Sequence, residues 1–399
     1  MTSPEAIDRE IDGRRLRIAG LFAGIGGFEL GLARAGHRAI LFCENWSPAV
    51  AVLASRFPEI PRVGDVCGLH DLPSETDLVC AGFPCQDLSQ AGRTAGIAGA
   101  RSSLVGELFR LLDRRPVPWV LLENVPFMLR LGRGRAMSHV LGALEERGYR
   151  WAYRVVDTLA FLPQRRERVF ILASRENDPA DVLFGDDVTV DLPRTDLDRY
   201  AHGFYWTEGL RGLGWAVDAV PTLKNGSAVG IPSPPAILLQ DGRVVKPDLR
   251  DAERLQGFPA DWTAPAADVA RASYRWSLVG NAVSVPVAEW LGRRLRWPMP
   301  YDHRRDRLDF DGAPWPLAAR WDGKRRIAVD IGTFPVRRRR PHLHEFLTFP
   351  GTPLSPRAIR GFLARARRSR LRFPDGFLER LENFLARTTV SVRGSVAAE

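Results

Sequence analysis

The sequence predicts an α/β protein built on a doubly wound parallel sheet, with a smaller irregular domain and a basic C-terminal extension. Three observations lead there. Residues 16–174 alternate short apolar runs with helical stretches, the pattern of strands buried beneath helices. A glycine-rich turn, Ala23-Gly24-Ile25-Gly26-Gly27, follows the first apolar run, where open α/β sheets bind ligands. Beyond Arg175 the periodicity gives way to a stretch rich in Gly, Pro and Asp.

Taken in order, strands are predicted at 16–22, 39–43, 78–81, 120–122 and 169–173, with helices starting near Gly27, Ser47, Ser103 and Arg135. Helical patterning returns at 250–255 and 285–295, and Trp297-Pro298-Met299-Pro300 marks a boundary. The expected organisation is a first domain at 1–175, an irregular domain at 176–248, a return segment at 249–298 that completes the first domain, and an extension at 299–399.

Composition excludes several classes. The first 17 residues are polar and charged, and no apolar stretch approaches the length of a membrane span, so an intracellular, cytoplasmic protein is expected. The four cysteines (Cys43, Cys67, Cys80, Cys85) include no C-x-x-C pair and no histidine cluster, which argues against a disulfide frame or a metal site. Residues 1–298 carry 36 basic and 36 acidic side chains, whereas 299–399 carry 21 and 11, so the net charge of +10 belongs to the last quarter. Arg337-Arg338-Arg339-Arg340 and Arg365, Arg367, Arg368, Arg370 and Arg372 contribute to it. The extension reads either as a polyanion-binding segment or as a solvated basic surface. Phe377, Leu378, Leu381, Phe384 and Leu385 share one helical face there, which also fits docking of a partner protein.

Two places carry chemistry. Gly82-Phe83-Pro84-Cys85-Gln86 follows the apolar run Leu78-Val79-Cys80-Ala81, so Cys85 emerges on a loop at a strand's carboxyl end. A thiol beside a proline, if its pKa is lowered, is a soft nucleophile; a buried structural cysteine is the alternative. The glycine turn offers free N–H groups at a helix start. Glu44, twenty residues past Gly24 at the end of the second strand, is placed to take ribose hydroxyls, and Asp65 to accept from an adenine amine. Together they imply an adenosine-containing cofactor, and an NAD-dependent oxidoreductase remains open.

Six segments then occur in a fixed order: 21–27, 82–86, Glu123-Asn124-Val125, Gln164-Arg165-Arg166-Glu167-Arg168, Arg254-Leu255-Gln256-Gly257-Phe258-Pro259 and Gly280-Asn281-Ala282-Val283. In this set the chain resembles the cytosine-5 DNA methyltransferase family. The resemblance implies a Rossmann-like methyltransferase sheet with a target-recognition domain at 176–248, S-adenosylmethionine as cofactor, and double-stranded DNA from which the target cytosine is flipped. It makes Cys85 the nucleophile that adds to carbon 6 and Glu123 the carboxyl group on the Watson–Crick edge. Arg168 would lie against the base's carbonyl oxygen, Arg166 would help hold the pocket, and Asn124 would fix the cysteine loop. Phe22 would stack on the adenine, Ala23, Gly24, Gly26 and Gly27 would cradle the cofactor with Glu44 and Asp65, and Asn281 and Val283 would wall its methionine end.

The loop 89–101 matches one that closes over flipped DNA in the family, where Ser89, Arg93 and Arg101 would meet phosphates. Ala100 and Ser102 flank Arg101 here, a departure from the acidic residue and glycine often found beside it. Pro221-Thr222-Leu223-Lys224-Asn225-Gly226 resembles a Thr-Leu element of the recognition domain. The expected setting is a bacterial, nucleoid-associated enzyme of restriction-modification or phage defence, with a defence-system protein as a possible partner for 299–399. A tRNA methyltransferase and a non-catalytic DNA-binding homologue are the alternatives, although the latter would be expected to lack Cys85 or Glu123.

Overall fold

The structure, a computed structural model, describes residues 13–83, 104–224, 234–310 and 312–396, with side chains as far as 388. It divides into two compact units. Unit 1 comprises Met1–Ala160, Glu167–Thr189 and Ala282–Arg337, and unit 2 comprises Phe161–Arg166, Val190–Asn281 and Arg338–Glu399. Labels below run in chain order through both. No helix among the described residues is long and apolar enough to cross a membrane.

Unit 1 is built on strands β1 (Arg17–Leu21), β2 (Arg38–Cys43), β3 (Arg62–Val63), β4 (Leu78–Gly82), β5 (Trp119–Asn124), β6 (Arg150–Asp157), β8 (Glu167–Ser174), β14 (Asp306–Asp309), β15 (Ala318–Trp321) and β16 (Arg326–Val329). They form one sheet in the order β14-β16-β15-β6-β8-β5-β4-β1-β2-β3. The half from β3 to β5 is parallel, as the alternation of apolar runs and helices requires. From β5 outward each pairing is antiparallel, so the sheet is mixed rather than parallel throughout. The reason lies in β6, which runs into β8 with no helical crossover between them and so must pair antiparallel. Its central Arg154 disguises it in the sequence. That side chain is fully buried and donates to the carbonyls of Leu183, Asp186 and Gly332 and to Asp187.

Helices α1 (Gly27–Arg34), α2 (Ser47–Arg56), α3 (Leu104–Arg114), α4 (Arg135–Glu146), α5 (Ala180–Leu183) and α8 (Val285–Arg296) cover the sheet. On one face α3 and α4 pack Leu108, Leu111, Val140 and Leu144 against Val79, Val120 and Leu122. On the other, α1 and α8 approach so closely that a Cβ at Gly31 would lie 2.5 Å from Ala288 Cβ and from the Val285 carbonyl oxygen. Glycine is what permits that contact.

Unit 2 contains a five-stranded antiparallel sheet in the order β10 (Ala216–Val217), β9 (His202–Phe204), β12 (Ala236–Leu238), β13 (Val244–Lys246), β17 (Thr352–Pro353). A short parallel pair joins β7 (Gln164–Arg165) to β11 (Val220–Pro221). Helices α6 (Leu249–Leu255), α7 (Tyr274–Asn281), α9 (Leu343–Phe346), α10 (Pro356–Arg368) and α11 (Phe377–Val396) complete it.

Three expectations about the C-terminal part are corrected. Residues 299–399 are shared between the units: β14 to β16 extend the large sheet through the β15–β6 pairing, and residues from Arg338 onward belong to unit 2. The return segment 249–298 is likewise divided, α6 and α7 lying in unit 2. The apolar face read as a docking surface is consumed internally. Phe377, Leu381 and Phe384 are buried with Ile359, Phe362, Leu363 and Ala366 of α10 against Phe204, Leu238 and Val244 of the small sheet. A row of this size cannot stay wet when a sheet face is available to cover it.

Candidate active site

In unit 1 the end of β1 turns sharply. Phe22 has φ 53° and Gly24 φ 56°, and Gly26, at φ 81°, caps α1. The Gly24 N–H donates to Glu44 Oε2 at 2.8 Å and the Trp46 N–H to Glu44 Oε1 at 2.8 Å, so one carboxylate at the end of β2 fixes two backbone segments. Each oxygen keeps a further lone pair for a ligand hydroxyl. Asp65 is exposed and accepts from the Cys67 N–H at 2.9 Å. Phe22 and Ala23 are half-buried beside the turn. A Cβ added at Gly24 would meet nothing within 4 Å, so the outer side of the loop faces open space. A helix start, a carboxylate, an aromatic ring and open space suit an adenosine-bearing cofactor.

Within unit 1, Val283 and Gly82 lie between this cradle and Glu123. Val283, just before α8, brings its carbonyl oxygen to where a Cβ on Gly27 would stand, at 2.6 Å. A Cβ on Gly82 would lie 3.8 Å from Val283 Cγ2 and 3.5 Å from Glu123 Oε2. Glu123, at the end of β5, pairs with Arg168 of β8 at 3.0 Å, both side chains being largely buried. Asn124 donates from Nδ2 to the Phe83 carbonyl at 3.0 Å and accepts the Val125 N–H on Oδ1 at 2.9 Å. Phe83 is the last described residue before Pro84-Cys85. Cys85 itself, with Ser89, Arg93 and Arg101, lies outside the described residues.

In unit 2 the remaining motifs are tied to one another by buried hydrogen bonds. Gln164 donates to the Leu255 carbonyl at 2.7 Å and accepts the Leu223 N–H at 3.1 Å. Arg166, 1% exposed, donates to the carbonyls of Leu223 at 3.0 Å and Gly280 at 3.1 Å. Gln256 donates to the Val279 carbonyl at 2.8 Å, and Thr222 to that of Arg165 at 2.8 Å. Thus Arg166 is a strut between the Thr-Leu element and the C-terminal end of α7. Asn281 is exposed at the end of α7.

One titratable group near the cradle went unread. Glu29, on the first turn of α1, is 1% exposed, and its Oε2 has no hydrogen-bond partner. Its carboxylate occupies the space over Gly20 of β1, where any Cβ would collide with it. Burial, with the Glu44 charge adding to it, pushes its pKa up to about 7. A charged residue among the small ones of Gly26-Gly27-Phe28-Glu29-Leu30-Gly31 is the sequence signal that marks it.

Residues 16–197 match the family model of the C-5 cytosine-specific DNA methylases. The chain is 47% identical over 387 residues to type II methyltransferase M2.BsuMI of Bacillus subtilis (strain 168), which covers 92% of this chain and 97% of the relative. It is 32% identical to type II methyltransferase M.NgoBI of Neisseria gonorrhoeae over 67% of this chain and 89% of that one. Among solved structures, the S. pombe Dnmt2 methyltransferase superposes with a TM-score of 0.52 at 17% identity, over 71% of this chain and 98% of that one, a likeness of fold. Neither an oxidoreductase nor a tRNA enzyme accounts for the first two matches. The chain belongs to the C-5 cytosine-specific DNA methylase family and is a DNA (cytosine-5)-methyltransferase with S-adenosylmethionine as its methyl donor.

Proposed function

We propose that this enzyme methylates one cytosine within a specific double-stranded DNA sequence, as the modification partner of a type II restriction-modification system. The observation that carries the catalytic assignment is the convergence at the ends of β4 and β5. Glu123 is paired with Arg168, and Asn124 is bonded to Phe83, the residue that leads into Pro84-Cys85.

Carbon 5 of cytosine is a weak nucleophile. The Cys85 thiolate adds to carbon 6, and the electron pair of the 5,6 double bond moves toward carbon 4 and ring nitrogen 3. Glu123 stands on that edge, accepts from the exocyclic amine and supplies the proton at nitrogen 3, which makes carbon 5 an enamine carbon. Arg168 orients Glu123 and donates toward the base's carbonyl oxygen. When bound, S-adenosylmethionine supplies an electrophilic methyl group on a sulfonium sulfur. Loss of the carbon 5 proton to a base, departure of Cys85 from carbon 6 as the thiolate and return of the nitrogen 3 proton to Glu123 restore the aromatic ring.

Phe22, Ala23, Gly24, Gly26, Gly27, Glu44 and Asp65 hold the cofactor's adenosine end, and Asn281 and Val283 its methionine end. Arg166 keeps the pocket's supporting turns in place. Ser89, Arg93 and Arg101 contact phosphates of the flipped DNA.

Bisulfite sequencing of DNA from cells expressing the chain tests this directly. The wild type leaves one sequence context protected and Cys85→Ser leaves none. Equal protection by both would refute the thiolate mechanism.

A further inference from the structure

Charge is divided unequally between the two units. Unit 2 holds 25 Lys and Arg against 16 Asp and Glu, and unit 1 holds 32 against 31. Within unit 2 the surplus belongs to residues 338–399, with 13 against 5. Several of those cations have structural tasks. Arg340 pairs with Asp218 at 3.2 Å, Arg338 lies over the Phe161 ring, and Arg365 donates to the carbonyls of Trp206 and Glu208. Arg367 is held by Glu382 at 2.7 Å.

Helix α10 is different. Its apolar side, Ile359, Phe362, Leu363 and Ala366, is buried, and the helical period puts Arg357, Arg360, Ala364 and Arg368 on the opposite, exposed side. These three arginines have no acidic or carbonyl partner among the described residues, nor do Arg370 and Arg372 just beyond the helix. The helix contains no Asp or Glu at all. Between the arginines stand only Gly361 and Ala364, so nothing bulky holds a partner off the guanidinium groups. From Arg357 to Arg368 the row is about 16 Å long at 1.5 Å per residue. Over such a length a duplex presents roughly one charge per 1.7 Å of axis.

We infer that this face of α10, with Arg370 and Arg372, is a sequence-independent clamp for the phosphodiester backbone of the DNA substrate. The inference rests on the proposed function and adds to it a contact surface that the six family motifs do not contain. An isolated surface arginine contributes little to the fold. Five unpaired ones along and just beyond a helix with no acid of its own repel one another until a polyanion neutralises them.

The test uses the full chain and the triple variant Arg357→Gln, Arg360→Gln, Arg368→Gln. Fluorescence anisotropy follows binding to duplexes with and without the methylated sequence, across a salt series. The triple variant is expected to lose affinity about equally on both duplexes, roughly tenfold or more at low salt. The slope of log affinity against log salt should flatten by about 2 to 3, since each phosphate contact contributes about 0.9. The corresponding triple lysine variant keeps the slope, and kcat at saturating DNA is unchanged. An unchanged slope in a variant with wild-type thermal stability would overturn the clamp, as would a loss confined to the site-bearing duplex. A wild-type chain that binds DNA but never methylates it would instead refute the underlying function.

Discussion

Glu123 and Arg168 face each other from neighbouring antiparallel strands, carboxylate to guanidinium at 3.0 Å, with Gly82 of β4 on the carboxylate's other side. The arginine therefore fixes the position of the carboxylate proposed to meet the polar edge of a flipped cytosine. Glu123→Gln keeps the shape and removes the proton donor. Single-turnover methylation should slow by about two to four orders of magnitude. DNA binding should change little, and a rate within threefold of wild type would mean that another group does the proton work.

Glu44 links the cofactor loop to the end of β2 through the N–H groups of Gly24 and Trp46. Glu44→Ala deprives both amides of their acceptor and removes the proposed ribose contact. Calorimetry should show S-adenosylmethionine binding at least tenfold weaker, by roughly 1.4 kcal/mol or more. Unchanged affinity would overturn the assignment of the cradle.

Glu29 makes stability depend on pH. Its folded-state pKa is raised from an ordinary 4.5 to about 7 by burial, so the folded chain holds a proton that the unfolded chain releases. The stability associated with that proton is fully present below the unfolded pKa and is lost as pH rises through about 7. Glu29→Gln should therefore raise the thermal midpoint at pH 8, by as much as roughly 3 kcal/mol in stability, and change it little near pH 4. An equal shift at both pH values would contradict this.

How much of this was legible beforehand follows from what each signal reports. The parallel half of the sheet, with the turn at Gly24–Gly27 and Glu44 at its strand ends, is readable because these features are local in sequence and strongly patterned. Strand β6 was not, because buried Arg154 breaks its apolar run and its partners at Asp187 and Gly332 are remote. How the tail is divided between the units is hidden for a similar reason. Its charge is visible by counting, but whether Arg340 meets Asp218 or solvent depends on a contact 122 residues away. Phe377 and Leu381 announce an amphipathic helix without saying whether its cover belongs to the same chain. The motif residues Gln164, Arg166 and Gln256 were found by their order, while their roles as buried struts appear only in the hydrogen bonds.

Covalent catalysis by Cys85 at carbon 6 is open to a trapping experiment. A duplex with 5-fluorocytosine at the methylated position, incubated with the enzyme and S-adenosylmethionine, cannot lose the carbon 5 substituent after transfer. A denaturation-resistant protein–DNA adduct is expected, with a tryptic mass that locates the bond on Cys85, and none with Cys85→Ser. A wild-type enzyme that methylates ordinary DNA yet forms no adduct, or forms one on another residue, would contradict it.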